Sequence, residues 1–308
     1  MAEFKYKFSV IIPTYNRANL LERCLNSLVE QTFKDFEVLV CDDGSTDNTK
    51  EISQKFESVL DIKYLWEENW GGPARPRNRG IAVSKGEWIC FLDSDDWWFS
   101  NKLEEVRKCI LSNDYVDFIC HELLLSKVNQ NKKQILHCGP IVPNLYENLL
   151  NYGDVFLNSA ISIRKSTLVK FDLKLNESKS FVGVEDYDLC LKLASFKAIF
   201  VCINMPLGEY YQEGSNISLS SSHLVNLESL LKYHVFEYQN FEQNKKKLWK
   251  KVSSRLNIIK AVVFFNKREY TNFFIHMFMS IRQYRHGFFK YAWSIINQSV
   301  KDFYSRNK

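Results

Sequence analysis

The sequence predicts an α/β protein built on a doubly wound, mainly parallel sheet, followed by a C-terminal helical extension. Three observations carry that prediction. As far as Cys120, short apolar runs alternate with segments of helical periodicity about every 25 residues, the rhythm of a parallel sheet with crossover helices. Two acidic clusters, Asp42-Asp43 and Asp93–Asp96, each close an apolar run, which puts both on the rim where open α/β sheets bind ligands. From about Leu224 the pattern becomes helical and basic.

Phe8–Ile12 reads as the first strand, closed by Pro13. Leu20, Leu21, Cys24, Leu25 and Leu28 fall at helical spacing and predict an amphipathic helix over Asn19–Glu30. Phe36–Cys41 is a buried strand. Ser45 or Thr46 then caps a helix with Ile52 and Phe56 on its inner face. Ile62–Trp66 is a strand, Arg77–Lys85 a helix stopped by Gly86, and Trp88–Leu92 a strand running into Asp93-Ser94-Asp95-Asp96. Helix Lys102–Leu111 and strand Val116–Cys120 follow. Leu123–His137, polar at its centre, suits a hairpin or a flexible loop. Beyond it come strand Ser159–Ile163, short helix Ser166–Lys170, helix Glu185–Leu193 and strand Ala198–Cys202. The expected division is a main domain over 1–223, with halves of about 1–121 and 122–223, and an extension over 224–308.

The 308 residues suffice for one large α/β domain with an appendage, and 45% apolar with 25% charged residues excludes a disordered chain. Charge is unevenly placed. Leu224–Lys308 holds 16 Lys and Arg against 5 Asp and Glu, so the net +5 of the whole hides an acidic front and a basic back. The eight cysteines are scattered without a C-x-x-C pair and read as small core residues, not as a disulfide frame or a zinc site. The six histidines are too dispersed for a metal cluster. No G-x-G-x-x-G follows the first strand and no P-loop occurs, which excludes the common dinucleotide and NTPase sites. No nucleic-acid-binding motif accompanies the basic tail, so nucleic acid is not an expected partner. No run of about 18 apolar residues and no signal-peptide core is present, which predicts a cytoplasmic protein. The Lys/Arg-rich extension, with Trp249, Phe288, Phe289 and Trp293, suits either ordinary helix packing or an anionic membrane face.

Asp93-Ser94-Asp95-Asp96 presents several oxygens in a small arc at a strand end. Such an arc can hold a hard divalent cation while a neighbouring carboxylate accepts from ligand hydroxyls. Taken alone, D-x-D is weak evidence, and a helix-capping acidic turn is the plain alternative. Glu185-Asp186 opens a helix, where negative charge is favoured, and a carboxylate there could also take a proton from a hydroxyl nucleophile.

The segment SVIIPTYNRANLLERCLNSLVEQTFKDFEVLVCDDGSTDNT resembles the opening of family-2 glycosyltransferases. The likeness continues through GGPARPRNRGIAVSKGEWICFLDSDDWW and FVGVEDYDLCLKLA, in order, over roughly Phe8–Ser218. It implies the GT-A fold, a Rossmann-like doubly wound sheet, and transfer of one sugar from a nucleotide-diphosphate donor with inversion. It implies that Pro13, Thr14 and Tyr15 line the nucleotide pocket, and that Asp42, with Asp43 as second candidate, bonds the base, commonly uracil. Arg77 and Asn78 match the family's Arg-Asn pair near the donor. Asp95 matches the main metal ligand, for Mn²⁺ or Mg²⁺. Asp93 and Ser94 lie toward the ribose or sugar, with Asp93 also a candidate ligand and Asp96 nearby. Asp186 matches the catalytic base, with Glu185 orienting the acceptor or substituting. Where the family often carries a histidine after the last core strand, this chain has YYQEGSN. Glu213 falls near that place as a candidate metal contact, Ser215, Asn216 and Ser218 could donate to phosphate, and His223 is poorly aligned.

The implied donor is a UDP-hexose or UDP-N-acetylhexosamine. The implied acceptor is a glycan or lipid-linked glycan, as in surface-polysaccharide or lipopolysaccharide assembly, at the inner face of the membrane. Processive synthases carry a Q-x-x-R-W stretch and membrane spans, and this chain has neither, which points to single-residue transfer. The competing reading is a sugar-nucleotide-binding or membrane-docked assembly subunit without turnover.

Overall fold

The structure, a computed structural model, describes residues 4–128, 133–139, 141–153, 156–212 and 221–284. The chain divides into two compact units, one of Met1–Leu145 with Val155–His223, the other of Tyr146–Asp154 with Leu224–Lys308. The segment 146–154, which the sequence reading kept in the main domain, therefore groups with the C-terminal unit.

The first unit carries β1 (Tyr6–Thr14), α1 (Ala18–Val29), β2 (Phe36–Asp42), α2 (Thr49–Lys55), β3 (Ile62–Trp66), α3 (Ala74–Val83), β4 (Gly86–Phe91), β5 (Trp97–Trp98) and α4 (Lys102–Leu111). After these come β6 (Phe118–Lys127), β7 (Gln134–Leu136), β8 (Ser162–Arg164), α6 (Lys165–Lys170), α7 (Glu185–Ser195) and β9 (Phe200–Gln212), whereas α5 (Leu145–Tyr152), between β7 and β8 in the chain, belongs to the second unit from Tyr146 onward. The described strands form one sheet in the order β3-β2-β1-β4-β8-β6-β9-β5, with β7 paired to β6. The β3-β2-β1-β4 half is parallel throughout, as is the β6–β9 pair. Strand β8 runs antiparallel to both β4 and β6, and β5 runs antiparallel to β9. Parallel order thus holds the first four strands, and the remainder is mixed.

The parallel half is built for burial on both faces. From Phe8 to Ile12 and from Phe36 to Cys41 every residue is buried, which these near-continuous apolar runs require. Leu21, Cys24, Leu25 and Leu28 of α1 pack one face of that sheet. On the other face α3 comes close because Gly80 has no side chain. A Cβ there would meet Ile11 Cγ2 at 2.7 Å and Cys41 Sγ at 3.0 Å.

Several expectations need correction. Helix α2 begins after Asn48, not at Ser45 or Thr46. Those two residues are tied to the β1–α1 turn, where Asn16 N donates to Ser45 Oγ at 2.8 Å and Thr46 N to Asn16 Oδ1 at 2.8 Å. Gly86 opens β4 and does not stop a helix, since α3 ends at Val83. The strand expected at Ser159–Ile163 is a 3-10 turn, Asn158–Ala160, followed by the shorter β8. The hairpin reading of Leu123–His137 matches the β6–β7 pairing. Cys138 and Cys202 form a disulfide, with Cys120 Sγ close by, against the expectation that all eight cysteines are free. The pairing arises because the segment after β7 turns back onto β9, which residue spacing does not reveal.

The second unit holds α8 (Ser221–Tyr233) from Leu224 onward, a π turn at His234–Tyr238, α9 (Lys245–Asn266) and α10 (Tyr270–Gln283). Asn244 caps α9 by accepting from Lys247 N at 3.0 Å. Helices α9 and α10 meet through polar contacts, with the Ser254 and Ser280 hydroxyls 2.9 Å apart and His276 2.7 Å from Asn257. Phe274 and Phe278 on α10 are 66% and 65% exposed. Phe288, Phe289 and Trp293 lie outside the described residues. No helix among the described residues is long and apolar enough to cross a membrane.

Candidate active site

The parallel strands β1, β2 and β4 end together, and the chain beyond them surrounds a cavity of about 490 Å³. That volume is in the range of small-molecule sites. Of the residues singled out in the sequence, Pro13, Thr14, Tyr15, Asp43, Arg77, Asp93, Ser94, Asp95, Glu185 and Asp186 all line it. Asp42 and Asn78 do not. Asp42 is fully buried and accepts from Ser45 N at 2.8 Å and from the Tyr64 hydroxyl. Burial and that carboxylate together push the Tyr64 hydroxyl well up from its ordinary value. Asn78 is occupied elsewhere: its amide donates to Leu175 O and Glu177 Oε1, both at 2.8 Å, and accepts from Leu175 N at 2.9 Å. Its role is to hold the 175–177 loop. Glu213, Ser215, Asn216 and Ser218 lie outside the described residues.

Asp43 shapes the cavity wall by accepting from Trp70 N at 2.9 Å and Gly71 N at 3.0 Å. Arg77, on α3, is buried and ties two distant segments. It donates to Asp93 Oδ1 at 2.6 Å and to Glu185 Oε1 at 2.7 Å. Burial opposes its charge, yet Asp93, Glu185 and Asp186 hold the guanidinium protonated. Glu185 is 2% exposed and also accepts from Gly183 N at 2.6 Å. It is a structural partner of Arg77, whereas its neighbour Asp186 is half-buried.

The acidic loop after β4 is held from several sides. Arg17 donates to Asp95 Oδ2 at 2.5 Å. Arg23, 4.0 Å from the Trp97 ring and 4.2 Å from that of Tyr211, donates to Asp95 O at 2.7 Å. Burial, with Asp93 nearby, raises the Asp95 carboxyl above its usual range, and Arg17 opposes the rise. Asp96 is buried, accepts from Ser159 Oγ at 2.5 Å and Tyr211 N at 2.9 Å, and does not line the cavity. Burial and its two acidic neighbours push its carboxyl well up. Asp93 and Asp95 thus face one cavity as hard oxygen donors whose mutual repulsion a cation would relieve, and they fit a divalent metal.

Sequence reasoning missed Arg17, Asn69, Gly71-Gly72, Asn158 and Tyr210, which also line the cavity. Arg17 sits inside PTYNR and could have been flagged, whereas Asn158 stands in a stretch without periodicity.

The sequence model of Glycosyl transferase family 2 matches residues 9–161. The amylovoran biosynthesis glycosyltransferase AmsB of Erwinia amylovora is 30% identical over 215 residues, covering 66% of this chain and 69% of that protein. The chain belongs to glycosyltransferase family 2. Another family relative, the poly(ribitol-phosphate) beta-N-acetylglucosaminyltransferase TarS of Staphylococcus aureus, is 47% identical over 170 residues, 53% of this chain and 28% of TarS. An uncharacterized glycosyltransferase of Rickettsia conorii is 34% identical over 195 residues, 63% of this chain. The match spans only 31% of that Rickettsia protein's length.

Among solved structures, S. aureus TarS superposes with a TM-score of 0.62 at 27% identity, over 81% of this chain and 43% of that one. TarS 1-349 in complex with UDP-GlcNAc gives 0.59 at 22% identity, covering 91% and 92%. The mannosyltransferase PcManGT from Pyrobaculum calidifontis, in complex with GDP-Man and Mn²⁺, gives 0.59 at 16%, covering 89% and 74%. The fold is GT-A.

Proposed function

We propose that this family-2 member transfers a single sugar, with inversion, from a UDP-sugar to a glycan hydroxyl in surface-polysaccharide assembly. The observation that carries the reading is convergence. Asp43 after β2, Asp93 and Asp95 after β4, and Asp186 at the start of α7 come from distant parts of the sequence and line one cavity. The relative TarS is by name an N-acetylglucosaminyltransferase, which favours UDP-GlcNAc as donor. AmsB acts, by name, in amylovoran biosynthesis, which favours a polysaccharide acceptor.

Each residue has a task on this reading. Pro13, Thr14, Tyr15 and Asp43 take the nucleotide end, with Asp43 in place of the buried Asp42. Asp95 and Asp93 would hold Mn²⁺ or Mg²⁺, which neutralises the charge of the departing diphosphate. PcManGT, of the same fold, is solved with Mn²⁺. Arg77 fixes Asp93 and Glu185 together and keeps a positive charge beside the diphosphate's place. Asp186 takes the proton of the acceptor hydroxyl as it attacks, since a neutral hydroxyl is a poor nucleophile. One base with no covalent intermediate gives inversion.

The test is a thermal-shift screen of UDP-GlcNAc, UDP-glucose and UDP-galactose with and without Mn²⁺, because a ligand of the folded form raises its melting point. A shift with one UDP-sugar that needs Mn²⁺ supports the proposal. The absence of a shift with any UDP-sugar would overturn it.

A further inference from the structure

We propose that Asn158 is a positioning residue for Asp186, holding the base by its side-chain amide before and after proton transfer. The inference rests on the reading of Asp186 as base. Asn158 lines the same cavity and donates from Nδ2 to Asp186 Oδ2 at 2.9 Å. The other carboxylate oxygen accepts from Tyr187 N at 2.8 Å. The carboxylate is therefore gripped at both oxygens, once by the start of its own helix and once by an amide from a different segment. Two such donors fix which lone pair faces the acceptor and favour the charged form.

Asn158 is itself firmly placed. The turn Asn158–Ala160 closes through Ile161 N to Asn158 O at 3.0 Å. The next residue, Ser159, donates to Asp96 Oδ2, accepts from Asp93 N at 3.0 Å, and through its carbonyl accepts from Trp98 Nε1 at 2.7 Å. Consecutive residues thus link the base to the acidic loop after β4. A shift of that loop moves Asn158 and, with it, the Asp186 carboxylate.

The residue type matters because a primary amide suits both protonation states of an acid. Its NH₂ donates to a carboxylate, and its carbonyl accepts from a carboxylic acid. Asn158 Oδ1 is buried without a hydrogen-bond partner, an arrangement that costs free energy. In the reaction the acceptor oxygen bonds the anomeric carbon while the bond to the diphosphate breaks, its electron pair leaving on the diphosphate. The acceptor proton passes to Asp186. Rotation of the Asn158 amide by a half turn then brings Oδ1 to that new O–H. The charged groups around Asp186 include Arg77, with Glu185 and Asp93 tied to it. Burial pushes the nearby His223 imidazole below its ordinary value.

The experiment measures UDP-GlcNAc hydrolysis with Mn²⁺, water serving as acceptor, together with calorimetric donor affinity for wild type, Asn158→Ala, Asn158→Asp and Asp186→Asn. The carboxylate is the reactive form, so turnover falls as pH drops through its pKa, and loss of a donor to it raises that pKa. Asn158→Ala is expected to lower kcat ten- to a hundredfold, to leave donor affinity within twofold, and to move the acid limb of the pH profile upward. Asn158→Asp, which sets a like charge against the base, should move that limb further. If Asn158→Ala fails to fold, the same comparison is read from Asn158→Asp, which is nearly isosteric. Unchanged kcat and acid limb, or donor affinity falling in step with kcat, would overturn the proposal. An Asp186→Asn variant with wild-type turnover would instead show that the reading of the base has failed.

Discussion

Two adjacent acidic pairs, Asp42-Asp43 at the end of β2 and Glu185-Asp186 at the start of α7, look alike in the sequence and are divided alike by the fold. In each, the first carboxylate is buried in structural bonds: Asp42 with Tyr64 and Ser45, Glu185 with Arg77 and Gly183. The second reaches the cavity with more freedom to meet a ligand at Asp186, which is half-buried, than at Asp43, which is held by the 70–72 loop. Direction explains the split. Successive residues at a strand end point to opposite sides, and successive residues of a helix point about 100° apart. The two acids of each pair therefore take different partners, even at α7, where both line the cavity.

The comparison breaks most sharply at α7. Asp186→Ala should lower kcat by roughly 10²–10⁴-fold, the usual worth of a general base, with the melting temperature and donor affinity unchanged. Glu185→Gln should act the other way round. It leaves Arg77 paired with Asp93 and should cost about 3 kcal/mol of stability in chemical denaturation. Equal behaviour of the two variants would dissolve the distinction. At β2 the expected effects are smaller. Asp43→Ala should weaken UDP binding about tenfold, or about 1.4 kcal/mol, measured by calorimetry. Asp42→Asn should leave UDP affinity nearly intact while lowering stability. The smallest effect sharpens the same point: Tyr64→Phe removes one donor to Asp42 and should cost about 1 kcal/mol of stability with turnover unchanged.

How much of this was legible in the sequence varies with the kind of signal. Strands β1, β2 and β4 were readable because burial on both faces demands unbroken apolar runs. Most of β9 was not. Past Cys202 it reads INMPLGEYYQ, with Pro206 and Gly208 interrupting any alternation, and a Cβ on Gly208 would lie 2.7 Å from Trp97 O. Asp95 and Asp186 were legible as members of linked motifs. That Glu185 is sequestered was not, because its partner Arg77 is brought to it only by the packing of α3 against the sheet. Asn78 misled for the same reason, since its neighbour Arg77 reaches the cavity and it does not. Asn158 carries no local pattern at all. Its significance comes from one hydrogen bond to Asp186 and from Ser159 beside it.

The convergence of Asp95 and Asp186 on one donor site is tested most directly by calorimetric titration of UDP-GlcNAc, with and without Mn²⁺, into wild type, Asp95→Ala and Asp186→Ala. The account predicts that wild type and Asp186→Ala bind with the same affinity and only with Mn²⁺, and that Asp95→Ala loses at least tenfold. Metal-independent binding of equal strength in all three proteins would contradict it.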